Sequence, residues 1–160
     1  MLADSSFLLP PAPVQIVFDS MTGNVRRFAT GVQALAAGTA GKHFEVLDLR
    51  KTVPSGDFLL MTYTFGSGGV PDTTARFLAD HAAGMRGVVS SGSFHWGANF
   101  GRAGDHISGR YGVPLVARIN KGGTAADRQT VAAWLAESCL QHSIRSAQAE
   151  HPRSAYGTLD

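Results

Sequence analysis

Three short loops hold most of the side chains in this sequence that suit ligand chemistry. The first, Ser20-Met21-Thr22-Gly23-Asn24-Val25, lies between the apolar run VQIVF and a segment with helical spacing. A helix N-terminus presents unpaired N–H groups and the positive end of a dipole. The Ser20 and Thr22 hydroxyls and the Asn24 amide add donors, and together they suit a phosphate. Arg26 and Arg27 fall in the first turn, where cations oppose the dipole unless an anion is present. The competing reading is that Ser20 or Thr22 simply caps the helix. A nucleoside-triphosphate loop is disfavoured, because the Gly-Lys-Ser/Thr ending is absent.

The second loop follows Thr62-Tyr63-Thr64 and reads Phe65-Gly66-Ser67-Gly68-Gly69, with three glycines in four positions. Such a backbone can pass close to a flat ligand and reorient a peptide; the alternative is an ordinary turn before Pro71. The third runs from Ser91 and Gly92 through Phe94, His95, Trp96, Asn99 and Phe100 to Gly101. It places aromatics in a glycine-bounded loop, a wall for a ring to lie against. His95 has no second His or carboxylate at ligand spacing, so a metal site is not expected there. A phosphate cradle and two loops able to sandwich a planar ring describe a site for flavin mononucleotide (FMN). Neither a Cys-x5-Arg signature nor a Ser-His-Asp arrangement competes with it.

Loops so far apart in sequence need a scaffold that gathers them at one edge. Val14–Phe18 is a continuous apolar run suited to a strand buried on both faces of a parallel sheet. Further strands are expected at Phe44–Leu49, Phe58–Thr64, Gly87–Ser91 and Val113–Ile119. Between them lie helical stripes: Val25, Phe28, Ala29, Val32, Leu35 and Ala36; then Thr74, Phe77, Leu78 and Ala82 after Pro71 as first helical residue; then Phe100, Ala103, Ile107 and Tyr111. A last helix starts at Thr124, with Asp127 completing a capping box, and buries Val131, Trp134, Leu135 and Ser138. Alternation of this kind predicts an open α/β fold with a parallel sheet. Polar FEVLDL and Pro114 mark edge strands, giving the order 2-1-3-4-5. Only RKTVPSGD separates the second and third strands, too short for a crossover helix, so that helix is reduced to a loop. Ligands in such sheets bind at the carboxyl ends of the strands where the order reverses, between strands one and three, where these loops lie.

The chain has 160 residues, a length expected for one domain. Residues 1–13 read as a loose arm ending in prolines, 14–142 as the FMN-binding domain, and 143–160 as a disordered tail where apolar periodicity stops. A net charge of +2 with scattered Lys and Arg argues against nucleic acid as main partner. No apolar run approaches a membrane span, MLADSSFLLPPAP lacks the features of a signal peptide, and the single Cys139 forms no internal disulfide. A cytoplasmic setting follows as the expectation.

Taken together, VQIVFDSMTGNVRRF, LLMTYTFGSGGVP, SSGSFHWGANFGRAGDHIS and VPLVARINKGGT resemble the NrdI family, flavodoxin-like proteins associated with class Ib ribonucleotide reductase. The match runs in order from about Val14 to Leu140. The resemblance implies a flavodoxin-like three-layer sandwich with non-covalent FMN. It places the phosphate loop at Ser20–Val25 and the flavin-contacting loops at Thr62–Gly69 and Ser91–Gly101. It further implies that reduced flavin and O2 give superoxide, which oxidises the dimanganese centre of the reductase small subunit and generates its tyrosyl radical. An electron donor to the flavin is also implied, and the chain would be an activating flavoprotein and not the reductase itself. Where electron-transfer flavodoxins usually end the phosphate loop in Thr, this chain has Val25, leaving the backbone N–H to serve. The rival reading is a one-electron carrier for other reductases. Bearing on that choice, the flavin loops hold no Asp or Glu from Thr62 to Val70 or from Ser91 to Arg102, so the fully reduced anionic flavin should be reached more easily than in acidic carriers.

Overall fold

The computed structural model describes residues 9–150. Five parallel strands, β1 (Val14–Phe18), β2 (Val46–Asp48), β3 (Asp57–Tyr63), β4 (Met85–Gly92) and β5 (Leu115–Asn120), lie in the order β2-β1-β3-β4-β5. Helices α1 (Asn24–Ala40), α2 (Asp72–His81), α3 (Arg102–Tyr111) and α4 (Ala125–Glu150) cover the two faces. The apolar side chains separate accordingly. Phe28, Val32, Leu59, Met61, Val131 and Leu135 pack beneath α1 and α4, and Val17, Leu60, Phe77, Leu78, Val88 and Ile107 beneath α2 and α3. β1 is buried at every position, as its unbroken apolar run requires, and β2, three residues long and only half-buried, is an edge.

The predicted order and strands are present, with shifted ends. β5 begins at Leu115 because Pro114 has no N–H to give; its carbonyl instead accepts from Val88 N–H at 3.0 Å. Pro71 is the residue before α2 and not its first helical one. Phe100 lies outside α3, which starts after Gly101, and Leu35 stands 39 % exposed on α1 rather than in its buried stripe. Thr124 and Asp127 form the predicted capping box: Asp127 N–H donates to Thr124 Oγ1 at 3.1 Å and Thr124 N–H to Asp127 Oδ2 at 2.9 Å.

Both termini depart from expectation within the described residues. The N-terminal arm is not loose at its end, since Ala12 N–H donates to His43 O at 2.7 Å and His43 N–H to Pro10 O at 2.8 Å. Nor does order stop at residue 142. α4 runs on to Glu150, because the tail's start carries Ala, Gln, Arg and Ser but no Gly or Pro to end a helix. Residues 1–8 of the expected arm and 151–160 of the expected tail lie outside the described residues. No helix among the described residues is long and apolar enough to cross a membrane.

No helix joins β2 to β3. Their connection is pinned by short-range bonds: Lys51 and Thr52 N–H donate to Asp48 O, both at 2.9 Å, and Ser55 N–H donates to Gln15 Oε1 at 2.9 Å. The carboxyl ends of β1, β3 and β4 thus carry the three loops singled out above, on a sheet fixed from both faces.

Candidate functional site

At the end of β1 the chain turns into α1 through Gly23, whose φ of 92° suits glycine and strains any other residue. Ser20 does not cap the helix. Its hydroxyl accepts the Gly23 N–H at 3.1 Å and so shapes the turn, and no side chain caps α1. The other three helices each carry an acid in the first turn, Asp72, Asp105 and Asp127. In α3 the Ala103 and Gly104 N–H groups also donate to Thr64 Oγ1 (3.3 Å) and Ser90 Oγ (3.1 Å). α1 has no first-turn acid and holds Arg26 and Arg27 instead. Arg27 folds back so that its Nη2 donates to Asn24 Oδ1 at 2.7 Å, and its guanidinium lies 2.8 Å from where a Cβ on Gly23 would sit. Among the described residues this is the one α-helix start with neither a side-chain cap nor a first-turn acid, an arrangement that suits an anion.

A cleft of about 250 Å³ opens beside it. Ser20, Met21, Thr22, Asn24 and Val25 line one end, Tyr63 and Thr64 the floor at the end of β3, and Ser91, Gly92 and Trp96 the far wall. Ten of the residues expected from the sequence therefore share one cavity. Of the two further lining residues, Ser93 falls within the expected third loop, though not among the residues named for contact, and Lys121 went unrecognised. The signal for Lys121 was the segment NKGGT, whose glycines mark a close approach at the same sheet edge. Lys121 is the sole non-glycine with positive φ (55°) among the described residues.

The remaining expected residues lie around the cleft or away from it. Thr62 is fully buried on the α2 side of the sheet, where its hydroxyl meets Thr74 Oγ1 at 2.8 Å; strand alternation turns it away from Tyr63's face, so it lines no part of the cleft. Phe65 and Gly69 close a tight turn, each N–H donating to the other's carbonyl (2.8 and 2.7 Å), with Gly66 and Gly68 at φ 57° and 119°. Ser67 sits at its exposed tip. Gly68 is buried: a Cβ there would lie 3.2 Å from both Asn99 Oδ1 and Arg102 Cδ, so this turn and the third loop touch. The Phe94 and Phe100 rings pack against each other with centroids 4.7 Å apart and planes tilted by 50°, and His95 is exposed on the outer turn. Gly101, buried, abuts Gly92, whose added Cβ would fall 2.6 Å from the Gly101 nitrogen. Met21, Phe65, Phe94 and Trp96, all on the three loops, are 62, 58, 68 and 40 % exposed and form an apolar rim; the other exposed large apolar side chains among the described residues, Leu35, Val53, Leu140 and Ile144, stand on α1, α4 and the β2–β3 connection. Among the described residues no cluster of three or more His, Cys, Asp or Glu could hold a metal ion.

The sequence profile described as "NrdI Flavodoxin like" matches residues 16–133. Protein NrdI of Deinococcus radiodurans is 52 % identical over 122 residues, covering 76 % of this chain and 82 % of that one. This chain belongs to the NrdI family. Protein NrdI of Bacillus licheniformis is 40 % identical over 114 residues, 71 % of this chain and 81 % of that one. In fold, the chain is similar to the solution structure of the two-electron reduced flavodoxin of Megasphaera elsdenii, with a TM-score of 0.61 at 21 % identity over 78 % of this chain and 98 % of that one.

A buried carboxylate adjoins the first loop of this NrdI-family chain. Asp19, with a side chain 0 % exposed, receives Arg50 Nε–H at 2.8 Å on Oδ1 and the Thr73 and Thr74 hydroxyls on Oδ2, the latter at 2.7 Å. Arg50 comes from the connection that replaces the crossover helix, and its Nη2 also donates to the hydroxyl of Tyr63, a cleft residue, at 3.2 Å. Burial works against the Arg50 charge, but the hydrogen bond and attraction of Asp19, with Tyr63 adding, outweigh it and raise its pKa above the ordinary value.

Proposed function

We propose that this chain binds FMN in the cleft at the carboxyl ends of β1, β3 and β4 and supplies oxidant to the small subunit of a class Ib ribonucleotide reductase, where a dimanganese centre and tyrosyl radical are assembled. The observation that carries the flavin part is the helix start of α1, uncapped, without a first-turn acid and flanked by arginines, at one end of a cleft whose far wall carries the exposed Trp96. Family membership supports the partner. FMN held in this cleft would, once reduced, supply one electron to each O2, giving superoxide.

The chain's own groups have separable tasks here. The N–H groups at the start of α1 with the Ser20 and Thr22 hydroxyls hold a phosphate. Tyr63, Thr64, Gly92 and Trp96 orient a ring, and the Phe65–Gly69 turn against Asn99 shields it from water. The four exposed apolar residues at the rim suit a protein partner that closes over the cleft.

The test is reconstitution. Purified protein is loaded with FMN, reduced without oxygen, and mixed with manganese-loaded small subunit and O2 while the tyrosyl radical is followed by electron paramagnetic resonance. A radical that forms only when the chain is present supports the proposal. FMN uptake and O2 consumption with no radical would leave the one-electron carrier as the better reading, and protein that takes up no FMN ends both.

A further inference from the structure

Lys121 stands at the first position after β5, in the loop that leads to α4. Its backbone adopts φ 55°, a region that costs a side-chain-bearing residue about 1–2 kcal/mol and is tolerated by Gly or Asn. The conformation is held from both sides. Lys121 N–H donates to Gly92 O at 2.7 Å, and Ser91 Oγ donates to Lys121 O at 2.6 Å, so the residue is fastened to the third cleft loop. The next residue, Gly122, approaches the first loop, with an added Cβ only 3.6 Å from Asn24 Oδ1, and Gly123 packs on Phe28 of α1. Lys121 therefore bridges the wall of the cleft and its anion end, and it lines the cavity itself.

Its charge is uncommitted. Among the described residues Lys121 forms no ion pair; nearby Asp127 is engaged in the capping box with Thr124, and Arg27 is turned onto Asn24. Residues held in costly backbone regions by their surroundings cluster at ligand sites, and this one borders the cleft. The first loop, by contrast, holds no lysine.

Resting on the FMN reading, we propose that Lys121 is the residue that selects the phosphorylated flavin: its ammonium pairs with the phosphate monoester from the β5 side, and it adds little to the grip on the ring. The consequence is a preference for FMN over riboflavin that depends on this one cation.

The experiment uses full-length protein freed of flavin and titrated with FMN and with riboflavin, following flavin fluorescence at low and moderate salt. Two variants are compared, Lys121→Met, which keeps the stem, and Lys121→Asn, which suits the left-handed backbone. A charge-assisted contact predicts that the FMN Kd rises about tenfold in both variants while the riboflavin Kd stays within about twofold. The FMN affinity of the parent should also fall more steeply with salt than that of either variant. Thermal unfolding of flavin-free Lys121→Asn should be unchanged or shifted upward, because the backbone strain is relieved. Equal losses for both flavins, or an FMN Kd unmoved in both variants, overturn the inference. A parent that binds neither flavin overturns the FMN reading and the inference with it, whereas a parent that binds FMN with unaffected variants overturns the inference alone.

Discussion

Replacing Arg50 by Met tests what holds the cleft in a chain that lacks a crossover helix. The substitution keeps most of the stem and removes the donors to Asp19 and Tyr63. Breaking a fully enclosed ion pair by deleting one partner costs about 3–5 kcal/mol, because the other charge is left buried and unpaired. Asp19 is enclosed at 0 %, but the Arg50 side chain is 39 % exposed and the two threonine hydroxyls remain on Oδ2, so water and these donors recover part of the loss. The expected cost is about 2–3 kcal/mol. In a domain of this size 1 kcal/mol moves Tm by about 2–4 °C, so Arg50→Met should melt about 5–10 °C lower.

Circular dichroism on flavin-free protein gives that number, and urea unfolding with an unchanged m value shows that stability itself has moved. The cause is isolated by the double variant Arg50→Met with Asp19→Asn. If the unpaired carboxylate is the cost, neutralising it regains more than half of the loss, and the two effects couple instead of adding. Arg50→Lys should rescue only in part, since an ammonium lacks the fork that reaches Asp19 and Tyr63 together. An Arg50→Met melting point within 2 °C of the parent, or a double variant equal to the sum of the single losses, refutes the reasoning.

Gly92→Ala drives a Cβ to 2.6 Å from the Gly101 backbone nitrogen, so two cleft loops must part; a stability loss of about 1–3 kcal/mol by urea unfolding, with weakened FMN binding, is expected. Burial pushes the Cys139 thiol pKa up, against a smaller opposing pull from Lys42. Native protein at pH 8 should therefore react with a thiol reagent far more slowly than unfolded protein. The unfolded thiol ionises first, so this group's contribution to stability is fully present below about pH 8.5 and is lost as pH rises, readable as a falling urea midpoint. With no carboxylate in the second or third loop, the second reduction step of bound FMN should lie at a less negative potential than in acidic one-electron carriers, as a redox titration would measure.

Local signals carried the fold where they were strong and isolated. VQIVF reads as a central parallel strand because every residue is apolar, and Thr124 with Asp127 reads as a helix start because the reciprocal bonds need only that spacing. The missing helix between β2 and β3 was legible from a count of residues alone. What failed was set by partners distant in sequence. Thr62 stands next to a cleft residue, but strand alternation sends its hydroxyl to Thr74 on the opposite face. Ser20 has the residue type of a helix cap, yet the intervening turn spends its hydroxyl on Gly23. Phe100 continues an apolar spacing into α3 but is held outside it by the left-handed Gly101 and by its packing on Phe94. Lys121 enters the cleft because β5 lies beside β4; the glycines of NKGGT mark a close approach, but which strand's loop is approached is set by that neighbour relation and not by the local pattern.

Asp19 and Arg50 connect the lost helix to the chemistry of the cleft. A carboxylate one residue before the anion loop would repel a phosphate there if it stood alone in a buried setting. Its neighbours remove the objection. Arg50 neutralises it, the Thr73 and Thr74 hydroxyls at the start of α2 occupy its second oxygen, and the positive end of that helix favours a negative charge. Arg50 reaches β1 from the short connection of residues 49–56 that stands where a crossover helix is absent. The short connection thus does more than save residues. It brings in a cation that pins the end of β1 to α2, fixes the Tyr63 hydroxyl, and leaves the field at the cleft to Arg27 and Lys121. For a site that is to hold a phosphate at one end and a reducible ring at the other, that balance of charge matters more than the covering helix the chain has given up.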